Sequence, residues 1–103
     1  MSQLPKPYQQ FQKYHPDVYR AYEALGATAA DSGPLDAKTR ELIKLGMAAA
    51  SKSKSSVLSH THRALEMGVT PDEIEHALML GVTTLGFPTM MAALTWAKEV
   101  LKR

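Results

Sequence analysis

Apolar residues recur every three or four positions along most of the chain, and no stretch alternates with the period of two that a β-strand requires. This pattern predicts an all-α fold. Pro16 suits the first turn of a helix, and Asp36 suits an N-cap. The run T-P-D-E at residues 70–73 combines a cap, a proline and a capping-box glutamate. The predicted helices cover residues 16 to about 30, 36–50, about 55 to 67, 70 to about 86, and 88–101.

The helix over residues 42–50 is apolar on nearly every side, with Lys44 as the exception, and such a helix is expected to be buried. The polar run S-K-S-K-S-S follows at residues 51–56. Serines compete for backbone hydrogen bonds and favour helix ends, so this run predicts a hinge. The helices on either side of it should form an αα-hairpin that folds Glu41 back toward His60.

The first fifteen residues differ from the rest, because Pro5 and Pro7 favour an extended arm that becomes a short helical turn. Tyr8, Phe11 and Tyr14 follow. Aromatic residues at this density are expected to pack on another surface, which in so small a chain suggests a neighbouring subunit. We therefore divide the chain into an arm, residues 1–15, and a single helical domain, residues 16–103.

The chain of 103 residues suits one compact domain, and its formal charge of +2 gives no electrostatic reason to expect a nucleic-acid partner. It contains no cysteine, which excludes disulfides, thiolate metal sites and thiol catalysis. Because it has no apolar run of membrane-spanning length and no secretory or lipidation signal, we expect a cytoplasmic protein without a membrane partner.

The stretch from Glu41 to His60 carries the candidate chemistry. One face of the second hairpin helix holds hydroxyls, an imidazole and a guanidinium: Ser53, Ser56, His60 and Arg63. With Glu41 they would line one pocket, in which the imidazole transfers protons. Simpler alternatives are a salt bridge of Glu41 to Lys38 or Lys44, a structural histidine, serine caps and a solvated arginine. No zinc site is expected, because H-x-x-x-H and H-E-x-x-H spacings are absent.

Basic residues are concentrated in this central hairpin. They either attract a small anion or form an ordinary solvated helix surface. The residues are Lys38, Arg40, Lys44, Lys52, Lys54 and Arg63.

Four segments in order resemble one known family: L-D-x-K-T-R-E-L-I at residues 35–43, S-H-T-H-R-A-L-E-M-G at 59–68, T-P-D-E-I at 70–74 and G-F-P-x-M-M-A-A at 86–93. Together the segments make residues 35–101 similar to the carboxymuconolactone decarboxylase and alkylhydroperoxidase D-like family. The resemblance implies an all-helical protomer of about five to six helices that assembles into homotrimers or homohexamers.

In the peroxidase branch of that family, a glutamate precedes a C-x-x-C pair by twelve residues, and a histidine follows the second cysteine by four. Glu41 and His60 match the glutamate and the histidine, but Ser53 and Ser56 replace the cysteines. A hydroxyl cannot cycle through sulfenate and disulfide, so thiol peroxidase activity is not implied. The decarboxylase branch, which also lacks the pair, is the nearer analogy; it acts on a lactone diacid without metal or organic cofactor.

These considerations predict a cofactor-independent, lyase-type enzyme for a small anionic or lactone substrate. His60 and Glu41 are the predicted catalytic residues, and Arg63, Ser56 and Ser53 are the predicted substrate-binding residues. The alternative is a non-catalytic oligomeric binding or scaffold protein that retains the fold. In either case we expect an obligate homo-oligomer, because one short chain has too few inward faces to bury all its apolar segments.

Overall fold

A computed structural model describes residues 6–103, and Pro5 of the predicted arm lies outside them. All regular secondary structure in this part of the chain is helical, which confirms the all-α prediction. The helices are α1 Lys6–Tyr14, α2 Pro16–Ala30, α3 Ala37–Ala50, α4 Lys54–Glu66, α5 Pro71–Met79, α6 Gly81–Thr84 and α7 Phe87–Leu101.

Side-chain caps fix where helices α3 and α5 begin. The Asp36 carboxylate accepts a hydrogen bond from the Thr39 N–H at 2.8 Å and so caps α3. At α5 the capping box is complete, because the Thr70 hydroxyl accepts from the Glu73 N–H and the Glu73 carboxylate accepts from the Thr70 N–H. Each cap satisfies an N–H group that has no partner within its helix. The start signals in the sequence are thus confirmed.

The core lies between α3, α4, α5 and α7, where α3 packs along α4 and α4 packs along α7. Leu45, Val57 and Ile74 are its largest fully buried apolar side chains. Alanines fill most of the remaining contact surface and let the helix backbones approach closely. They are Ala48, Ala49, Ala64, Ala93 and Ala97.

Helix α3 is buried along one side only. Leu45 is completely buried, whereas Ile43 is 42% exposed and Met47 is 64% exposed. The prediction that residues 42–50 are buried all round is therefore wrong for the single chain. The α3–α4 hairpin forms as predicted, through a tight turn in which Lys52 adopts a φ of 60°.

Two further differences from the sequence prediction concern helix ends. Helix α1 extends over nine residues instead of a short turn, because Pro7 occupies its first turn, where a missing N–H costs no hydrogen bond. The helix predicted over residues 70–86 is divided at Leu80 into α5 and the four-residue α6. Helices α1 and α2 pack on each other, and neither contains a buried residue.

Candidate active site

The α3–α4 hairpin brings Glu41 and His60 into direct contact. The Oε1 atom of Glu41 lies 2.7 Å from Nδ1 of His60. The two residues are nineteen positions apart, and the turn at Ser51 and Lys52 reverses the chain between them. The predicted approach of these side chains is therefore confirmed. Within residues 6–103 no ion pair joins Glu41 to Lys38 or Lys44, the alternative partners.

The Glu41 carboxyl is held in its ionised form although it is buried. Its side chain is only 8% exposed, and burial by itself raises the pKa of a carboxyl. The hydrogen bond from His60, and the positive charge of that ring when it is protonated, outweigh burial and bring the pKa of Glu41 below its ordinary value. The charges of Lys44 and Arg63 lower this pKa further. At neutral pH Glu41 is thus a buried carboxylate that requires a donor.

This carboxylate determines which nitrogen of the neutral His60 ring carries the proton. An ionised carboxylate only accepts hydrogen bonds, so Nδ1 of His60 must be the donor. The other nitrogen, Nε2, then has a free lone pair and is the basic atom of the ring. When Nε2 gains a proton, the resulting imidazolium is stabilised by Glu41 at 2.7 Å. The contact therefore orients the ring and places a carboxylate beside it.

His60 opens onto a cavity of about 600 Å³ between α2 on one side and the α3–α4 hairpin on the other. Glu41, Ser56, His60 and Arg63 all line it, so the structure brings four of the five predicted site residues together. Ser53 lies outside this lining. Its hydroxyl caps α4 by accepting a hydrogen bond from the Ser56 N–H at 3.3 Å, as in the alternative reading of the sequence.

Several cavity residues were not predicted as site residues. Arg40 and Lys44 of α3 line the cavity with Glu41. In the sequence Arg40 stood out only as a member of the basic cluster, and Lys44 only as a member of that cluster and a possible ion-pair partner of Glu41. The opposite wall comes from α2 and includes Tyr22 and Leu25. Their helical spacing gave no hint of this role, because an apolar stripe that lines a cavity has the same period as one that packs into a core.

A second, smaller cavity of about 60 Å³ adjoins His60 and is lined by Tyr8, Tyr19 and Ser59 among others. Partial burial, a hydrogen bond to the Glu23 carboxylate and the charge on that carboxylate raise the pKa of Tyr19. At neutral pH the Tyr19 phenol is therefore protonated, and it lines the same small cavity as the His60 ring.

The described residues contain no cluster of three or more histidine, aspartate or glutamate side chains suited to a metal ion. None of the helices in residues 6–103 is both long and apolar enough to cross a membrane.

Comparison with known proteins shows which relatives share this fold and sequence. An uncharacterized protein of Haemophilus influenzae is 41% identical over 63 residues, which are 61% of this chain and 56% of that protein. The chain thus spans little more than half of the length of this relative. The uncharacterized protein MJ0742 of Methanocaldococcus jannaschii is 31% identical over 90 residues, 86% of this chain and 83% of that protein.

A solved structure extends the comparison to three dimensions. The crystal structure of a "putative carboxymuconolactone decarboxylase" from Burkholderia xenovorans LB400 superimposes with a TM-score of 0.70 and 28% identity. The superposition covers 96% of this chain and 80% of that one. The model of the carboxymuconolactone decarboxylase family matches residues 16–99, which include the α3–α4 hairpin with Glu41 and His60. The chain therefore belongs to the carboxymuconolactone decarboxylase family.

Proposed function

We propose that this protein is a cofactor-independent enzyme of the lyase type that uses acid–base chemistry on a small organic anion or lactone. The observation that carries the proposal is the 2.7 Å contact between the buried Glu41 carboxylate and His60, at the wall of a cavity large enough for a small molecule. Membership of the carboxymuconolactone decarboxylase family supports the same reaction class.

In the proposed reaction, Nε2 of His60 exchanges a proton with the substrate. In a decarboxylation the bond between the carboxylate carbon and its neighbour breaks, CO₂ leaves, and the electron pair remains on the substrate carbon. Nε2 of His60 has taken up a proton from solvent before this step, and the imidazolium donates that proton to the carbon, which returns the ring to its neutral form. Glu41 stabilises the charged ring until the proton is donated. Arg63 and the Ser56 hydroxyl, which line the same cavity, are proposed to hold the anionic group of the substrate.

The proposal excludes thiol peroxidase chemistry, because the sequence contains no cysteine and a serine hydroxyl has no equivalent redox cycle. The same substitution favours a second candidate function, a binding or scaffold protein that has kept the fold without the chemistry. The two candidates differ in whether any ligand of the cavity is turned over.

The experiment is a screen of carboxylic acids and lactones in D₂O, followed by NMR for loss of CO₂ or for deuterium on carbon. Any compound turned over is then tested with three variants. His60→Ala should reduce turnover by about 10² to 10⁴, because His60 transfers the proton. Glu41→Gln should reduce it by about 10 to 10³, because Glu41 orients the His60 ring. His76→Ala is the matched control, since His76 is an exposed histidine of α5 outside the cavity.

Turnover that is equal in His60→Ala and the parent protein, with unchanged helical content by circular dichroism, would contradict the proposed mechanism. Ligand binding in the cavity without turnover of any bound compound would support the scaffold alternative instead.

A further inference from the structure

The cavity that contains His60 is lined by both charged and apolar side chains. Its charged members are three cations, Arg40, Lys44 and Arg63, and two carboxylates, Glu23 and Glu41. While His60 is neutral, one positive charge is left uncompensated. Charge complementarity therefore favours a ligand with a single negative charge, because a second carboxylate would give the cavity and its ligand a net negative charge.

Two of the cations are available to a ligand. The Arg40 guanidinium already donates to the Leu35 carbonyl at 2.6 Å. In the described part of the chain, neither Lys44 nor Arg63 forms an ion pair. Both lie within range of Glu41, whose pKa they lower. An anion that approaches Arg63 would therefore also lie close to the Glu41–His60 pair.

The remaining wall is apolar and unusually exposed. Leu25 of α2 is 69% exposed, Met47 of α3 is 64% exposed, and Met67 at the end of α4 is 47% exposed. These three side chains come from different helices and line the same cavity. The described chain leaves a large part of each side chain open to water, so an apolar group placed in the cavity would remove this surface from water.

We propose that the cavity binds a monocarboxylate with an apolar body, whose carboxylate contacts Arg63 and Lys44 and whose chain or ring lies against Leu25, Met47 and Met67. This inference rests on the proposed function, because it names the substrate class of the same site. The cavity is not expected to prefer diacids, because its net charge disfavours a second carboxylate on the ligand.

The test is isothermal titration calorimetry of the full-length protein with hexanoate, heptanoate and octanoate. Affinity should rise about two- to fourfold with each added methylene, the upper value being that of full burial. Octanedioate and octan-1-ol serve as matched probes of equal length, one with a second charge and one with none. Octan-1-ol should bind at least about tenfold more weakly than octanoate, because the loss of a hydrogen bond to a charged group has about this effect. Octanedioate should also bind more weakly than octanoate, because its second carboxylate would lie against the apolar wall.

Two variants test the charged contact and the apolar wall of the cavity separately. Arg63→Gln should weaken octanoate binding by about tenfold and leave octan-1-ol unaffected, and Lys98→Gln, an exposed lysine of α7, is its control. Leu25→Asn should reduce the dependence on chain length without loss of fold, because Leu25 is already exposed. Val82→Asn, an exposed residue of α6, should change nothing.

Equal or tighter binding of octanedioate, or an affinity independent of chain length, would overturn this inference and leave the acid–base proposal intact. Absence of carboxylate binding would overturn it too. Equal turnover in His60→Ala, in contrast, would remove the proposed function and leave the binding result as it stands, so the two failures are distinguishable.

Discussion

Removal of the His60 ring should destabilise the protein through Glu41. In His60→Ala the carboxylate remains buried, with 8% of its side chain exposed, but loses the hydrogen bond at 2.7 Å. Loss of a hydrogen bond to a charged group costs about 1.5–3 kcal/mol of unfolding free energy. Lys44 and Arg63 still attract the carboxylate, so we expect a value near the lower end of that range.

Glu41→Gln should cost less, about 0.5–1.5 kcal/mol, because the amide oxygen still accepts a neutral hydrogen bond from the ring. The double variant completes a thermodynamic cycle. If the two side chains interact as the structure has them, the coupling energy should be about 1–2 kcal/mol. The assay is urea unfolding followed by circular dichroism, at one protein concentration throughout because self-association would shift the apparent stability.

The pH dependence of this cost follows from the lowered pKa of Glu41. A carboxyl whose pKa is lower in the folded state contributes stability that is fully present above its ordinary value of 4.5. That stability is lost as the pH falls through the lowered value. The cost of His60→Ala should therefore be full at neutral pH and shrink as the pH falls below 4.5 and through the lowered pKa of Glu41. Additive single variants, or a cost that does not change with pH, would refute this reasoning.

Three further predictions concern the fold and its assembly. Thr70→Ala removes half of the α5 capping box and should cost about 1 kcal/mol in urea unfolding, whereas a cost near zero would contradict the cap assignment. The metal-free protein should not reduce organic peroxides with a dithiol donor, because it has no thiol; turnover above the buffer blank would contradict this. Light scattering at micromolar concentration should give at least three times 11.3 kDa, and Leu80→Glu should shift this mass to that of a folded monomer; a parent protein that is itself monomeric would contradict self-association.

The prediction of self-association rests on apolar surface that one chain leaves uncovered. Leu80 is 62% exposed, Ile43 is 42% exposed, and both line a shallow groove between α3 and α5. Leu80 also lines a second groove with Leu85, on the side of α6. Exposed apolar side chains that line neighbouring grooves are typical of an interface, and closed symmetry is its usual outcome. A second copy of this chain is the partner that we propose for it.

Local signals in the sequence were sufficient for most of the fold. The first residues of α2, α3 and α5 agree with Pro16, Asp36 and Thr70, because caps and prolines act on their immediate neighbours. The division of the helix at Leu80 was not predicted. No proline stands at that position, and Leu80 has no side-chain group that could cap a helix.

The site was partly predictable for a physical reason. The hinge after residue 50 is visible as a run of serines and lysines, and a hairpin built on it brings Glu41 and His60 together. The α2 wall was not predictable, because the spacing of Tyr22 and Leu25 shows that they share a face but not what that face contacts. For the same reason, Lys44 could not be distinguished from the solvated lysines of the hairpin.

The measurement that tests the central claim most directly is the protonation of the two His60 ring nitrogens. Long-range ¹⁵N–¹H correlation spectra of the parent protein, at a pH where the rings are neutral, should show a protonated Nδ1 and an unprotonated Nε2 for His60. In Glu41→Gln this preference should weaken, and the exposed His76 provides the reference for a ring without such a partner. A His60 ring protonated on Nε2, or a tautomer distribution equal to that of His76, would contradict the account.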